Sequence, residues 1–343
     1  MQTSTHIIDI HCHTAGIGAG GSGCFVSPDM RRNVRFNFFL KTFGVSEREL
    51  LQQGDELVLE RLSQRLAESH HVAAAVVLAM DGVVDAQGTL DEGATEIYIP
   101  NEFLGRACRN YSNLLFGASI NPNRPDALER LERAAADGAV LMKWLPSVQG
   151  IDPANARLKP FYRRLQELGL PLLTHTGGEE SFTRVDNSLA DPLRLRGALD
   201  EGVTVVAAHC ASNGKNDGQR NMERLLPLFG AYSNLYADFS SLTQANRLGH
   251  LPRILRHAEI HDRLLYGSDM PIISSFLTSP WWHAYRVPLV EVRRLAAIRN
   301  PWDRDVELKR ALGVTEGVLG NSADMLGKYS KSDLAQSSLS TPR

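Results

Sequence analysis

Cysteine is scarce in this sequence, which has four among 343 residues: Cys12, Cys24, Cys108 and Cys210. No two of them show the close spacing of a C-x-x-C pair, so the sequence indicates free thiols. Cys12 and Cys210 each stand next to a histidine in the sequence. Because successive side chains of a strand point to opposite faces, these two thiols are expected on the face opposite the histidines. We therefore interpret both as packing residues.

Long apolar runs and an excess of one charge are also absent. No run approaches the length of a membrane-spanning helix, and residues 1–5 lack the charged start and apolar core of a signal peptide. The formal net charge of -2 gives no basic surface for nucleic acid or for an anionic membrane. We expect a cytoplasmic protein whose partner is a small molecule, with no nucleic-acid or membrane partner.

Short apolar runs that alternate with helical patterns dominate the chain instead. Continuous apolar runs are typical of parallel strands that are covered on both faces. Eight such runs are predicted as strands, at residues 7–13, 71–78, 114–120, 139–144, 170–175, 203–209, 235–239 and 263–268. Eight strands in a chain of this size favour an α/β fold, the (β/α)8 TIM barrel. A doubly wound open sheet shares the local pattern and is the alternative.

The chain shows no linker or internal repeat that would divide it. We predict one barrel domain over residues 1–328 and a disordered tail over residues 329–343, which is polar and rich in serine. Residues 14–44 are rich in glycine and then basic and aromatic, and we interpret them as a long loop over the strand ends. A loop of that length usually covers a site.

Polar side chains recur where the predicted strands end. Alternation along the first strand places His11 and His13 on one face, with Asp9 below them and Ile10 on the other side. The other strand-end residues are Lys143 on the fourth strand, His175 on the fifth, His209 on the sixth and Asp269 after the eighth. Each of these residues alone could be an ordinary hydrogen-bonded, surface or turn residue. In a barrel, however, all strand ends meet at one mouth, so these residues would lie close together. Their recurrence predicts a metal site there.

Four motifs in this order resemble the amidohydrolase superfamily over residues 6 to about 328. They are His11-x-His13, residues 174–179, Ala208-His209-Cys210 and residues 266–271. The resemblance is strongest to the amidohydrolase-related branch, which also contains metal-dependent decarboxylases. It implies a distorted eight-stranded barrel that holds a divalent metal ion at its mouth.

The resemblance also implies a set of ligands. His11, His13, His175 and Asp269 would bind one ion, and Asp269 would also take the proton of the attacking water. Zinc suits a mixed set of imidazole and carboxylate ligands, and Mn2+ is another candidate.

Whether one ion or two is bound stays open at this point. His209 would either bind a second ion or act on the substrate or water. Lys143 would either be carboxylated, as a bridge between two ions, or contact the substrate. Asp9 and Asp238 are expected to support the ligands from behind.

The predicted reaction is hydrolysis, in which a metal-bound water attacks an amide, lactone or ester carbonyl of a small molecule with Asp269 as general base. The alternative is a non-oxidative decarboxylase of a small carboxylic acid, in which Arg31 or Arg35 of the first loop would bind the carboxylate. A non-catalytic barrel that binds a metal or ligand is the third interpretation.

Four side chains on or beyond strand ends are candidates for the wall of the pocket: Trp144, Glu179, Trp281 and Trp282. Trp144 and Glu179 are the predicted substrate contacts. Trp281 and Trp282 could equally belong to the interface of a homo-oligomer.

Overall fold

Eight parallel strands form a nearly closed TIM barrel in the computed structural model, which describes residues 7–327. The strands are β1 (Ile7–His13), β2 (Val72–Leu78), β3 (Leu114–Ala118), β4 (Leu141–Trp144), β5 (Leu172–Thr174), β6 (Val205–Ala207), β7 (Leu235–Asp238) and β8 (Leu264–Leu265). Each strand pairs with the next one along the chain. The His13 amide donates to the Met270 carbonyl at 2.9 Å and brings β1 beside the end of β8. The predicted barrel is confirmed.

Helices connect the strands and form the outer layer. They are α1 (Pro28–Arg32), α2 (Val34–Phe43), α3 (Glu47–Gln53), α4 (Glu56–Ala67), α5 (Asn101–Cys108), α6 (Ala127–Ala136), α7 (Pro146–Gln149), α8 (Lys159–Glu167), α9 (Arg196–Asp200), α10 (Asn221–Ala231), α11 (His250–Ile254), α12 (Leu289–Ala296), α13 (Pro301–Ala311) and α14 (Glu316–Leu326). Within residues 7–327, none of these helices has the length and apolar character needed to cross a bilayer. The predicted tail, residues 329–343, lies outside the described residues.

Two apolar layers hold the barrel together. Aliphatic side chains from seven of the eight strands, all but β7, fill the interior of the barrel. They include Ile8, Ile10, Val76, Leu115, Leu141, Leu173, Val206 and Leu265. Leu326 of α14 packs into the same cluster, so this last helix covers one end of the barrel. A larger layer lies between the strands and the surrounding helices. Filling the interior leaves only the carboxyl ends of the strands for a site.

The strand β1 does not alternate as the sequence predicts. Ile10 lies inside the barrel and Cys12 lies in the outer layer, although simple alternation puts them on one face. The pairing of β1 with β2 shifts register between Asp9 and Cys12, which marks a β-bulge. The bulge reverses the phase of the strand, so Asp9 points outward while His11 and His13 point to the mouth.

The segment after β1 is more ordered than the predicted loop. It contains the short strand Phe25–Val26, which pairs with Ile97–Tyr98, and then the helices α1 and α2. The Ser27 hydroxyl accepts from the Met30 amide at 3.2 Å and begins α1, with Pro28 at its first position. The segment does cover the mouth of the barrel, as the sequence predicts, but as a helical cover.

A buried ion pair fastens two neighbouring loops at the mouth. The Asp81 carboxylate, just after β2, accepts from Arg124 Nε at 2.8 Å and from Arg124 Nη2 at 2.6 Å. It also accepts from the Asn121 amide, just after β3, at 2.7 Å. Arg124 and Asp81 are both buried, so each charge depends on the other.

We expect Arg124→Met to destabilise the protein by about 3–5 kcal/mol, because the buried Asp81 charge loses its partner. Arg133→Met is the matched control, since Arg133 pairs with Glu129 at the surface and its loss should cost no more than about 1 kcal/mol. The free energy of unfolding, measured by urea titration, tests both values. Equal effects of the two substitutions would contradict this account of the mouth.

Candidate metal centre

Four histidine rings form a continuous row across the mouth of the barrel. His13 and His11 come from the end of β1, His209 from the turn after β6 and His175 from the end of β5. The ring centroids are 5.0 Å apart for His13 and His11, 4.9 Å for His11 and His209, and 5.0 Å for His209 and His175. Residues up to 198 positions apart in the sequence therefore meet at one place, as the strand-end argument predicts.

Asp269 completes this row from the end of β8. Its Oδ1 lies 3.1 Å from His13 Nε2 and 3.7 Å from His11 Nε2, and its Oδ2 accepts a hydrogen bond from the Ser241 hydroxyl. Burial would raise the pKa of Asp269, but the hydrogen bond with His13 and the nearby His209 and His11 hold it well below its usual range. Asp269 is therefore an ionised carboxylate among histidines.

These residues fit a divalent cation. His11, His13 and Asp269 each offer one ligand atom, and all three atoms lie within 4.8 Å of one another. His175 adds a second indication, because its Nε2 is buried and has no hydrogen-bond partner among the described residues. Imidazole nitrogens and a carboxylate oxygen are the ligands that zinc prefers. His175 is not part of this group of three, since its ring lies beside His209, but an unpaired buried nitrogen costs free energy unless a ligand completes it.

Asp238 orients two of the histidines from behind. Its Oδ2 accepts from His11 Nδ1 at 2.9 Å, which fixes the tautomer and leaves the His11 Nε2 lone pair for the mouth. Its Oδ1 accepts from the amides of His209 at 3.0 Å and Ser240 at 2.9 Å. Burial opposes ionisation of Asp238, but His11, the nearby His209 and the hydrogen bond from the Ser240 hydroxyl lower its pKa far below the usual range. His11, His209 and Asp238 also bring three possible ligand atoms within 4.8 Å of one another, and these hydrogen bonds account for that proximity.

The turn that carries His209 has an unusual backbone. His209, Cys210 and Ala211 have φ angles of 56°, 49° and 48°, and Asp269 has a φ of 59°. Non-glycine residues rarely adopt this left-handed region, and such strain persists only where neighbouring contacts hold it. Asp238 provides them, since its carboxylate accepts from the His209 amide and its carbonyl accepts from Cys210 Sγ at 3.1 Å. The predicted sixth strand accordingly ends at Ala207, before the histidine.

Asp9 supports the row from outside the barrel. Its Oδ1 accepts from the amides of His11 at 3.0 Å and Ser268 at 2.9 Å, and its Oδ2 accepts from the Trp302 indole at 2.9 Å. Burial raises the pKa of Asp9 to about 6, although these hydrogen bonds oppose the change. Asp9 therefore joins the ends of β1 and β8 to α13. It does so from the outer face of β1, whereas simple alternation predicts that it shares a face with His11 and His13.

Lys143 lies inside the barrel beside the histidines. Its Nζ lies 3.0 Å from His11 Nε2, and the side chain is fully buried. Burial lowers the pKa of Lys143 to about 8, although Asp238 and Asp269 raise it in part. A fraction of the amine is therefore neutral near physiological pH.

Trp144 does not contact the cavity, which corrects the prediction of a substrate contact. Alternation along β4 turns it away from the interior that Lys143 faces. The Trp144 indole donates to the Ile120 carbonyl at 2.8 Å and stacks on Phe161, 5.7 Å between centroids. Trp144 is a core residue between the barrel and its helices.

Glu179 does line the cavity at the mouth. Its Oε2 lies 3.5 Å from His175 Nδ1, and its Oε1 accepts from the Ser181 amide at 2.6 Å. Burial would raise the pKa of Glu179, but His175 and Ser181 lower it, so the carboxylate is ionised. The side chain can orient His175 and contact a ligand at the same time.

A cavity of about 500 Å³ opens above the histidine row. Lys143, Glu179 and Asp269 lie along its floor and wall, together with apolar side chains of α2. Trp281 and Trp282 are not among the lining residues, and both are about half exposed, so they do not form the predicted pocket wall.

Several polar residues of the centre were not predicted from the sequence. Ser240 and Ser241 follow β7 and hydrogen-bond to Asp238 and Asp269, a position that the strand-end argument could have identified. Arg247 also lines the cavity, nine residues beyond β7, where no sequence pattern indicates it. Arg31, the predicted carboxylate-binding residue, instead pairs with Glu47 and does not line the cavity. The side chain of Arg35, the other candidate, lies outside the part of the chain that the structure describes.

Comparisons with known proteins agree with this architecture. A family model described as Amidohydrolase matches residues 8–312. An uncharacterized TIM-barrel protein from Bordetella bronchiseptica is 17% identical with a TM-score of 0.54, and the match covers 89% of this chain and 99% of that one. At this identity the likeness concerns the fold.

Two further solved structures match with lower scores. One is a putative 2-pyrone-4,6-dicarboxylic acid hydrolase from Pseudomonas putida, with 16% identity, a TM-score of 0.49 and coverage of 90% of this chain and 98% of that one. The other is a 5-carboxyvanillate decarboxylase from Sphingomonas paucimobilis, with 11% identity, a TM-score of 0.44 and coverage of 94% and 99%. No curated protein matches the sequence significantly.

The burial of His175 predicts a loss of stability in acid. Burial lowers the pKa of His175 from 6.5 to about 4, so between these pH values the unfolded chain binds more protons than the folded one. Stability therefore falls as the pH decreases from 6.5 towards 4. We expect this group to contribute about 2 kcal/mol of the loss between pH 7 and pH 5.

Urea unfolding of chelator-treated protein at the two pH values tests this prediction. His175→Gln should show a smaller loss than wild type by that amount, while the surface variant His257→Gln should behave as wild type. An unchanged pH dependence in His175→Gln would contradict the assignment.

Proposed function

Because the chain belongs to the amidohydrolase family, we propose that it is a metal-dependent enzyme that hydrolyses an amide, lactone or ester bond of a small molecule. The observation that supports this best is the histidine row with Asp269 at the floor of the cavity, where the buried His175 Nε2 has no hydrogen-bond partner among the described residues. A cavity of about 500 Å³ suits a small-molecule substrate.

His11, His13, His175 and Asp269 would hold one divalent ion, for which zinc is the first candidate and Mn2+ the second. A bound ion of this kind polarises a carbonyl group and makes a hydroxide available near neutral pH. The protein's part is to present these ligands together, and Asp238 and Asp9 do so by fixing the ring and backbone of His11.

Asp269 is the proposed general base. Its Oδ2 is held by the Ser241 hydroxyl, which in turn accepts from Gln244 Nε2 at 2.7 Å, so the carboxylate has a fixed orientation. Its low pKa keeps it ionised and able to accept a proton from the attacking water. It would then pass the proton to the leaving group.

His209 would act on the attacking water. Its Nδ1 lies 2.8 Å from the Ser240 hydroxyl, and that hydroxyl donates to Asp238, so His209 must donate from Nδ1. The Nε2 lone pair is then an acceptor. Burial lowers the pKa of His209 well below its usual value, so this ring is neutral. A neutral acceptor beside Asp269 can orient a water for attack.

We propose a single ion, with Lys143 as a substrate contact. The Lys143 amine lies 3.0 Å from His11 Nε2, and its lowered pKa leaves part of it neutral, which would also suit carboxylation as a bridge between two ions. Elemental analysis of the purified protein distinguishes the two. One metal ion per chain in the wild type, retained in Lys143→Met, supports the proposal. Two metal ions per chain in the wild type, with a lower metal content in Lys143→Met, would contradict it.

Replacement of Asp269 tests the mechanism. Asp269→Asn with its metal retained should lower kcat by about a hundredfold or more, because the amide cannot accept the proton. Asp262→Asn is the matched control, since Asp262 is exposed on the outer surface, and it should keep wild-type turnover. Wild-type kcat in a metal-loaded Asp269→Asn protein would exclude this residue as the base.

The reaction class can be tested with labelled water. Hydrolysis in H2 18O places 18O in the acid product, whereas non-oxidative decarboxylation releases carbon dioxide and incorporates no oxygen. We expect 18O in the product without carbon dioxide. Carbon dioxide release without label would favour the decarboxylase alternative, and a metal-loaded protein inactive on broad panels of esters, lactones, amides and carboxylic acids would favour a binding protein.

A further inference from the structure

We propose that Lys309 of α13 is a positioning residue for the metal centre: its amine, outside the barrel, holds the chain that carries Asp269 in place beside His11. The inference deepens the proposed function, because these two side chains are among the proposed ligands. It rests on two features of the Gly267 backbone, which are a hydrogen bond from a buried amine and close packing against His11.

Asp269 stands beyond the regular end of β8, which is Leu265. On the side of β7, the Phe239 amide donates to the Leu265 carbonyl at 3.1 Å, and within the described chain the pairing of the two strands goes no further. On the side of β1, the Asp269 amide still donates to the His11 carbonyl at 2.8 Å. The segment that carries Asp269 therefore needs support from groups outside the sheet.

Lys309 supplies such support. Its Nζ donates to the Gly267 carbonyl at 2.9 Å, and the side chain is fully buried. The same amine pairs with Asp305 Oδ2 at 2.6 Å, one helical turn earlier, and lies 4.5 Å from the centroid of the Tyr266 ring. The Tyr266 hydroxyl also donates to Asp305 Oδ2, at 2.9 Å. Because a buried ammonium group needs such partners, its direction is fixed.

Gly267 has no free space beside the metal centre. A methyl group on its Cα would lie 2.9 Å from His11 Cβ and 3.0 Å from Ser240 Cβ, closer than non-bonded carbon atoms normally approach. The Gly267 backbone is thus packed against His11 while Lys309 holds its carbonyl. Movement of this peptide would displace Asp269, two residues later, and change the distance of 3.7 Å between Asp269 Oδ1 and His11 Nε2.

One face of α13 is devoted to these strand ends. Trp302, Asp305 and Lys309 follow one another at intervals of three and four residues, which places them on the same side of a helix. The Trp302 indole donates to Asp9 at 2.9 Å and so reaches the backbone of His11 through a second side chain. Lys309 is bonded directly to the backbone of the Asp269 segment.

Titration of the metal-free protein with Co2+, followed by visible absorption, tests the proposal, because the spectrum reports both affinity and the arrangement of the ligands. Lys309→Met should weaken Co2+ binding by about tenfold or more, and it should alter the spectrum of the saturated site. Arg124→Met is the matched control, since it breaks another buried ion pair, between loops that carry none of the proposed ligands. It should bind Co2+ within about twofold of wild type and keep the wild-type spectrum.

A second variant separates positioning from stability, because Lys309→Met leaves the buried Asp305 charge unpaired. The double variant Lys309→Met with Asp305→Asn removes both charges and keeps an acceptor for the Tyr266 hydroxyl. It should resist urea better than Lys309→Met and yet bind Co2+ as weakly. Wild-type affinity and spectrum in the folded double variant would overturn the inference, as would an equal weakening in Arg124→Met.

The 15N NMR signals of the histidine rings in the metal-free protein give a measurement that needs no ion. The His11 signals should shift in the double variant and stay unchanged in Arg124→Met, and unshifted signals in the double variant would contradict the role of Lys309. If the wild type binds no Co2+, the proposed function is refuted and these signals decide the inference. Bound metal without hydrolysis would also refute the proposed function, but it would leave the role of Lys309 standing.

Discussion

The carboxylate of Asp238 is the interaction on which the centre depends. It accepts from His11 on one side and from the backbone of His209 and Ser240 on the other, so a single buried anion joins β1, β6 and β7. It determines which nitrogen of His11 faces the cavity, and it holds the left-handed turn that presents His209. A buried charge is costly without such donors, which is why the three strands must close around it.

Much of this architecture could be predicted from the sequence. Parallel strands that are buried on both faces appear as continuous apolar runs, so all eight strands were predicted in the correct order. Barrel topology then places the strand ends side by side, which brought His13, His175, His209 and Asp269 together in the prediction. Strand order alone is enough to bring these residues together. It does not establish their roles, so the ligand set remains a proposal.

The remaining features depend on geometry that sequence periodicity does not encode. The bulge in β1 adds one residue and inverts the faces of Asp9 and Ile10, because a strand keeps its alternation only while its register is unbroken. Trp144 was misplaced for a simpler reason, since its neighbour Lys143 already occupied the inward face of β4. Arg247 lies on an irregular loop, and a loop has no periodic sequence pattern from which the direction of its side chains could be predicted.

The helical cover formed by α1 and α2 contributes none of the proposed ligands of the ion. It supplies four of the six phenylalanines that line the cavity, while the strand ends and the turns after them supply the histidines and carboxylates. Changes within the cover can therefore alter which molecules enter without disturbing the ligands of the ion. Such a division makes the chain evolvable: new substrates can be acquired by exchanging one peripheral segment, while the reactive chemistry is inherited unchanged.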